Sequence, residues 1–247
     1  MANIHTRTVE FQRQVVDKFN ASKYPHYQIR SEISHGASMD YFMAVNVDQL
    51  HHDMILFLDI DCIPLCEEAN DYFLAEAAKG KIVGNIQRSN HIQNSQHLFA
   101  APSALALSVD TYRTIGKPSA VETSRGDVGE EYTFAAEEKG IPIELILPSR
   151  YENSPFECKC WPLKVGMPTY GLGTTFTHRE IGDLFWHNFQ ITRPGQQDNF
   201  QRKCASILKE QFNPHRHPFY YFIPNPNGPI SESPILVFDS ERKFLID

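Results

Sequence analysis

Residues 54–65 read Met-Ile-Leu-Phe-Leu-Asp-Ile-Asp-Cys-Ile-Pro-Leu, an apolar run that ends on two carboxylates one residue apart, Asp59 and Asp61. A run this short, preceded by a charged helix-like segment and interrupted by Pro64, reads as a buried strand whose end delivers both acids to a cleft. Buried acids are scarce without partners. Paired hard oxygen ligands suit Mg²⁺ or Mn²⁺, which keep part of their water shell and also accept diphosphate oxygens from a bound substrate. The plainer alternative is that Asp59 and Asp61 only terminate a strand.

Around this run, strand and helix signals alternate through the first three-fifths of the chain, the pattern of parallel strands joined by crossover helices. The expectation is an α/β fold with a mostly parallel central sheet flanked by helices. A very short strand is expected at 2–5, a helix at 9–19, a strand at 27–33, and a helix at 38–50 leading into the diacid strand. A helix at 67–78 stops at Gly80 and a strand follows at 81–86. After a polar loop at 87–97 come a strand at 99–108, a short helix from Tyr112 to Gly116-Lys117-Pro118, a helix at 127–139 and a strand at 141–147. Beyond Pro148 the periodicity fades among Pro, Gly, Cys and aromatic residues. A strand at 183–190, a helix at 200–212 and an extended arm with a short strand at 235–238 complete the reading.

A chain of 247 residues buries one sizeable core, so residues 1–205 are expected to form the main domain, with 206–247 an extension packing on it. No window approaches the ~20 apolar residues of a membrane span, and the N-terminus has no apolar signal region. The chain therefore reads as soluble and cytoplasmic. A net charge of −7 weakens any case for nonspecific nucleic-acid binding, which needs a basic surface. The five cysteines, an odd number in a chain too large to depend on disulfides, read as reduced thiols. The spacings of Cys62/Cys66 and Cys158/Cys160 are not those of a zinc site.

The helix at 38–50 followed by Asp53 and the diacid run resembles the DxD segment of GT-A-fold, nucleotide-sugar-dependent glycosyltransferases. Three further features agree. Gly84-Asn-Ile-Gln-Arg-Ser-Asn-His91 precedes a strand carrying Ala100-Ala-Pro-Ser103, similar to the sugar and acceptor wall of such enzymes. Gly126-Asp-Val-Gly-Glu-Glu131 opens a helix much as an acidic motif does in many inverting members. Leu184-Phe-Trp-His187 supplies a late histidine, which the family often recruits to its metal. The resemblance covers residues 2–193 in element order, and small viral, phage-type or bacterial members are nearest in size. The chain departs from the pattern in its nearly absent first strand, in the early position of the DxD segment, and in Glu131 where Asp is commoner.

The resemblance implies a Mn²⁺ or Mg²⁺ ion held by Asp59, Asp61 and His187, with His178 a weaker candidate and Asp59 shared with metal-bound water or ribose. It places the nucleotide near Thr6 and Arg7, the ribose near Ser38 and Asp40, and the acceptor near Arg88, Asn90 and His91. The donor it implies is a nucleotide sugar, UDP-linked rather than GDP-linked. The acceptor is left open among glycan, protein, small molecule and modified nucleic acid. An inverting transfer needs a carboxylate to take the acceptor proton, and Asp127, Glu131 and Glu130 stand together for that role. Acids in a first helical turn also cap the helix and offset its dipole without catalysis.

Other functions compete. A haloacid-dehalogenase-type phosphatase also shows strand, Asp, any residue, Asp, and there Asp59 would be the covalent nucleophile. That motif continues Gly-Thr, whereas this chain continues Cys62-Ile63. A sugar-binding protein on a transferase fold that has lost catalysis is a second alternative. Nucleotidyl transfer calls for a Gly-rich, basic loop after the first strand, which this sequence lacks.

Overall fold

The protein is described as a computed structural model covering residues 6–89, 96–152 and 160–209, together with the backbone of three short strands near the C-terminus; the side chains of Thr6 and Cys160 are excepted. The elements run α1 (Thr6–Asn20), β1 (Gln28–Ser31), α2 (His35–Val45) continuing into a π-helical turn (Asn46–Leu50), β2 (Met54–Leu58), β3 (Cys62–Pro64) and α3 (Glu68–Ala78). They continue with β4 (Ile82–Arg88), β5 (Leu98–Ser108), α4 (Val109–Thr114), α5 (Glu130–Lys139), β6 (Ile143–Arg150), β7 (Cys160–Pro162), β8 (Thr169–Gly171), β9 (Thr174–His178) and β10 (Gly182–His187). Then come α6 (Gln196–Leu208), β11 (Tyr220–Ile223), β12 (Ile235–Phe238) and β13 (Lys243–Ile246).

The architecture is α/β, but the central sheet is mixed and mostly antiparallel, not mostly parallel as the alternation of signals predicts. Its seven strands lie in the order β2-β5-β4-β6-β9-β10-β3, and only β4 and β6 pair in parallel. The reason is an insertion. β2, β4 and β6 do run the same way and are separated in sequence by helices, as expected of crossover units. However, β5 slips antiparallel between β2 and β4, and β9 and β10 return by a tight turn that holds no crossover helix. β10 also runs in the direction of β6, so the carboxyl ends of β2, β4, β6 and β10 meet at one end of the sheet.

Residue type explains the burial of β5. Ala104 and Ala106 face the core layer of α3 with Phe73, Phe176 and Phe185, while Leu105 and Leu107 face Met39, Phe42, Tyr112 and Tyr132 from α2, α4 and α5. Small residues on one face and leucines on the other let helices close on both sides of the strand. Burying a phenylalanine as fully as Phe73 stabilises by about 2–3 kcal/mol. A third cluster joins Phe11 and Val15 of α1 to Ile63, Trp186 and Phe200, which fixes α1 and α6 against the β3 edge.

The two edge strands of the seven-stranded sheet, β2 and β3, are consecutive in sequence. Four residue steps separate Leu58 from Cys62, a reach of roughly 14 Å at most. The sheet is therefore curled until its edges nearly meet, and Asp59-Ile60-Asp61 spans the seam.

Several expected boundaries shift. α2 begins at His35 rather than residue 38, because Ser34 is the cap and accepts the Ala37 amide. α5 begins at Glu130 rather than 127, since Gly129 takes a left-handed φ of 77°. The expected helix at 200–212 is α6, its last positions lying outside the described residues; so do the expected strand at 2–5 and the residues Asn90 and His91. The short strand at 235–238 is present, and β11 pairs in parallel with β1. Among the described residues no helix is long and apolar enough to cross a membrane. Cys62, Cys66 and Cys204 are free thiols.

Candidate metal site

The site is built by strand register. On β10, His187 stands opposite Cys62 of β3, so the imidazole arrives beside the residue that precedes Cys62. Its Nε2 lies 3.0 Å from Asp61 Oδ1 and 3.7 Å from Asp59 Oδ2. One ligand atom from each of Asp59, Asp61 and His187 falls within 4.8 Å of the others. The Asp61 carbonyl accepts the Asn188 amide at 2.9 Å, which locks the turn to the end of β10. The Asp59 amide donates to the Ser103 carbonyl at 3.3 Å, locking the other end to β5.

That contact exists because β5 bulges. Its pairing with β4 jumps from Leu105 opposite Gly84 to Ala101 opposite Asn85, leaving residues 102–104 without a β4 partner. Pro102 and Ser103 bend toward the diacid turn, and Asn85 donates to the Ser103 hydroxyl at 3.4 Å. Gly129 packs against Pro102, where a Cβ would lie 2.9 Å from the proline ring. The start of α5 is thereby seated near the seam.

Asp61 and His187 are buried, and the Asp59 side chain keeps 23% of its exposure. Burial raises the Asp59 carboxyl above the ordinary carboxylate range; Asp61 adds to this, and His35 and His187 only partly offset it. Burial opposes charge on His187, but Asp61 and Asp59 hold its pKa above the ordinary histidine value. Burial, with both aspartates adding to it, pushes the Cys62 thiol well up, and Cys62 is not in the group whose ligand atoms converge. The His187 Nδ1 has no hydrogen-bond partner among the described residues; the ring is oriented by Phe189, 3.8 Å away between centroids, and by the ladder.

The donor set fits a divalent cation in its chemistry. Several partly buried acids have a Lys or Arg: Glu76 has Lys79 and Lys81, Glu131 has Arg125, and Asp183 has Arg150, whereas the wholly buried Glu130 has a histidine, His97. Asp59 and Asp61 have only histidines, with neither Lys nor Arg among the described residues. Two carboxylates and one imidazole facing one point, with no fixed cation, suit Mn²⁺ or Mg²⁺ in ligand type.

The remaining predicted residues separate into groups. Glu130 is wholly buried and saturated: Ser89 Oγ donates at 2.9 Å, the Asp127 amide at 2.7 Å, and His97 Nδ1 lies at 2.6 Å. This is half of the capping-box pattern. Glu131 is gripped by Arg125 at 2.6 Å and by Thr123 at 2.8 Å. Asp127 is half-buried, and its Oδ1 accepts the Val128 amide at 2.7 Å. Ser38 Oγ lies 2.7 Å from Ser31 Oγ and 2.8 Å from the capping Ser34 carbonyl, and Asp40 accepts from Ser119 and the Ala120 amide. Thr6 opens α1, and Arg7 lines a cavity of about 380 Å³ with Asp198, Gln201 and Arg202 of α6, away from the diacid cluster. His178 contacts Tyr72 and its Nδ1 accepts amides of the β9–β10 turn. Arg88 ends β4, its carbonyl accepting from Tyr170.

Sequence reasoning missed His35, whose Nε2 lies 3.2 Å from Asp59 Oδ1. Its one signal was its place directly after the capping Ser34. It also missed that His97 joins the polar loop to α5. No known family model matches this chain, and no curated protein matches it.

Proposed function

We propose that this protein is a metal-dependent glycosyltransferase of GT-A type that moves a sugar from a nucleotide diphosphate donor, UDP-linked by resemblance, to an acceptor hydroxyl. The observation that carries this reading is the pair Asp59 and Asp61, facing His187 across the sheet seam with no Lys or Arg among the described residues to balance them. That the carboxyl ends of β2 and β10 deliver Asp59 and His187 to one place supports it, since ligands of α/β folds commonly bind at strand carboxyl ends.

In this reading Asp59, Asp61 and His187 hold the ion. A divalent cation so bound supplies Lewis acidity to the departing diphosphate. Asp61, buried against Asn188, fixes the ion's place, while Asp59, less buried, borders the donor. In an inverting transfer the bond from the anomeric carbon to the diphosphate oxygen breaks as the acceptor oxygen bonds to that carbon. A carboxylate takes the acceptor's proton. We assign that role to Asp127, because Glu130 is enclosed by three donors and Glu131 is held by Arg125. Glu130 then positions the end of β4 and the start of α5 around the acceptor.

The test is incubation with Mn²⁺ and a panel of UDP-, GDP- and other nucleotide sugars. Metal-dependent donor binding or hydrolysis is expected, lost in Asp61→Ala. A phosphoaspartate on Asp59, or inorganic phosphate released from phosphomonoesters, would replace this reading with the phosphatase. No response to any donor leaves a binding protein.

A further inference from the structure

We propose that His35 is the positioning residue of the diacid: it holds one oxygen of Asp59 so that the other faces His187 and Asp61. This inference rests on the cation reading of the site. The two oxygens of Asp59 are divided between two histidines, Oδ1 lying 3.2 Å from His35 Nε2 and Oδ2 lying 3.7 Å from His187 Nε2. His35 is not a member of the cluster whose ligand atoms all lie within 4.8 Å, so it contacts Asp59 from outside that group. Carboxylate ligands need such outer partners, because a freely rotating carboxylate presents its oxygens in several directions.

The side chain of His35 is 51% exposed, and what steadies it is its backbone. It is the first residue of α2, and that end is pinned three ways. Ser34 caps the helix through the Ala37 amide at 3.3 Å. Ser38 reaches Ser31 at the end of β1 at 2.7 Å. Asp40 accepts the Ala120 amide at 2.6 Å and the Ser119 hydroxyl. Gly36, next to His35, lies so close to the 119–121 segment that a Cβ there would stand 2.4 Å from the Ala120 carbonyl oxygen. A histidine on so fixed a base can set the orientation of Asp59, a less buried acid than Asp61.

The experiment measures Mn²⁺ alone, by equilibrium binding and by the electron paramagnetic resonance spectrum of the bound ion, in wild type, His35→Ala, His35→Gln and Asp61→Ala. His35→Ala is expected to weaken Mn²⁺ about 10- to 100-fold and to alter the spectrum even at saturation. His35→Gln keeps an N–H near the Nε2 position and is expected to restore the spectrum and bring affinity to within about 3-fold of wild type. Wild-type affinity and spectrum in His35→Ala overturn the proposal, as does equal loss in the Ala and Gln variants. If wild type binds Mn²⁺ no better than Asp61→Ala, the cation reading itself fails and takes this inference with it.

Discussion

Cys62 and His187 stand directly opposite each other on adjacent antiparallel strands, and this register brings the imidazole to 3.0 Å from the acid just before Cys62. A ligand that binds only the folded state stabilises it by about 2.7 kcal/mol at 100 times its Kd. Mn²⁺ should therefore raise the unfolding temperature of the wild-type protein, and a chelator should reverse the rise. Asp61→Asn should fold, since it removes one of two like charges, yet show no Mn²⁺ response. Thermal unfolding with and without Mn²⁺ checks both statements, and an unaltered response in Asp61→Asn would defeat the site.

The three acids at the start of α5 should part company on mutation. Asp127→Asn is expected to cut turnover by about 100-fold or more with the fold intact. Glu131→Gln should cost less than about 1 kcal/mol and leave turnover near wild type, because its partner Arg125 is half exposed. Glu130→Gln should cost about 2 kcal/mol, because a buried carboxylate accepting from three donors is replaced by an amide that fits them poorly. Urea midpoints and steady-state rates on the same three variants distinguish these outcomes.

His97 should make stability depend on pH. Burial alone would lower its pKa, but Glu130 and Glu137 together raise it above the usual 6.5. Its ring also stacks on Phe134 at 3.8 Å, with Arg125 over the same phenylalanine. A histidine with a raised folded pKa stabilises fully below its unfolded pKa, and that contribution fades as pH climbs through the folded value. Urea midpoints from about pH 6 to about pH 9 should fall more steeply in wild type than in His97→Gln. Parallel curves would remove His97 as the source.

Gly36→Ala should cost about 2 kcal/mol by overpacking α2 against the 119–121 segment, since its Cβ would also lie 2.6 Å from Val121 Cα. The same shift carries His35 away from Asp59. Weakened Mn²⁺ binding should accompany the lost stability, measured by binding titration beside urea unfolding.

What the sequence revealed was local chemistry. Asp59, Asp61 and His187 stood out because acids and a histidine next to apolar strands are conspicuous, and the structure brings all three together. Helices α1 and α3 were legible from their apolar spacing and the Gly80 stop. Strand pairing was not, because the insertion of β5 between β2 and β4 is decided by contacts far apart in the chain. β7 and β8 escaped notice because a three-residue strand such as Thr169–Gly171 is too short to show alternation. His35 was invisible for a different reason: a lone histidine beyond a serine says nothing until Asp59 is seen beside it.

The curled sheet has a bearing on self-association. An unpaired strand edge is a template on which another chain can add itself. In this protein both outer strands of the main sheet are tethered to the same three-residue turn, so Asp59 and Asp61 sit where the two borders are drawn toward each other. Loosening that turn would part the two borders, and because α1 and α6 cover the β3 side, the β2 side is the one that would be left to another chain.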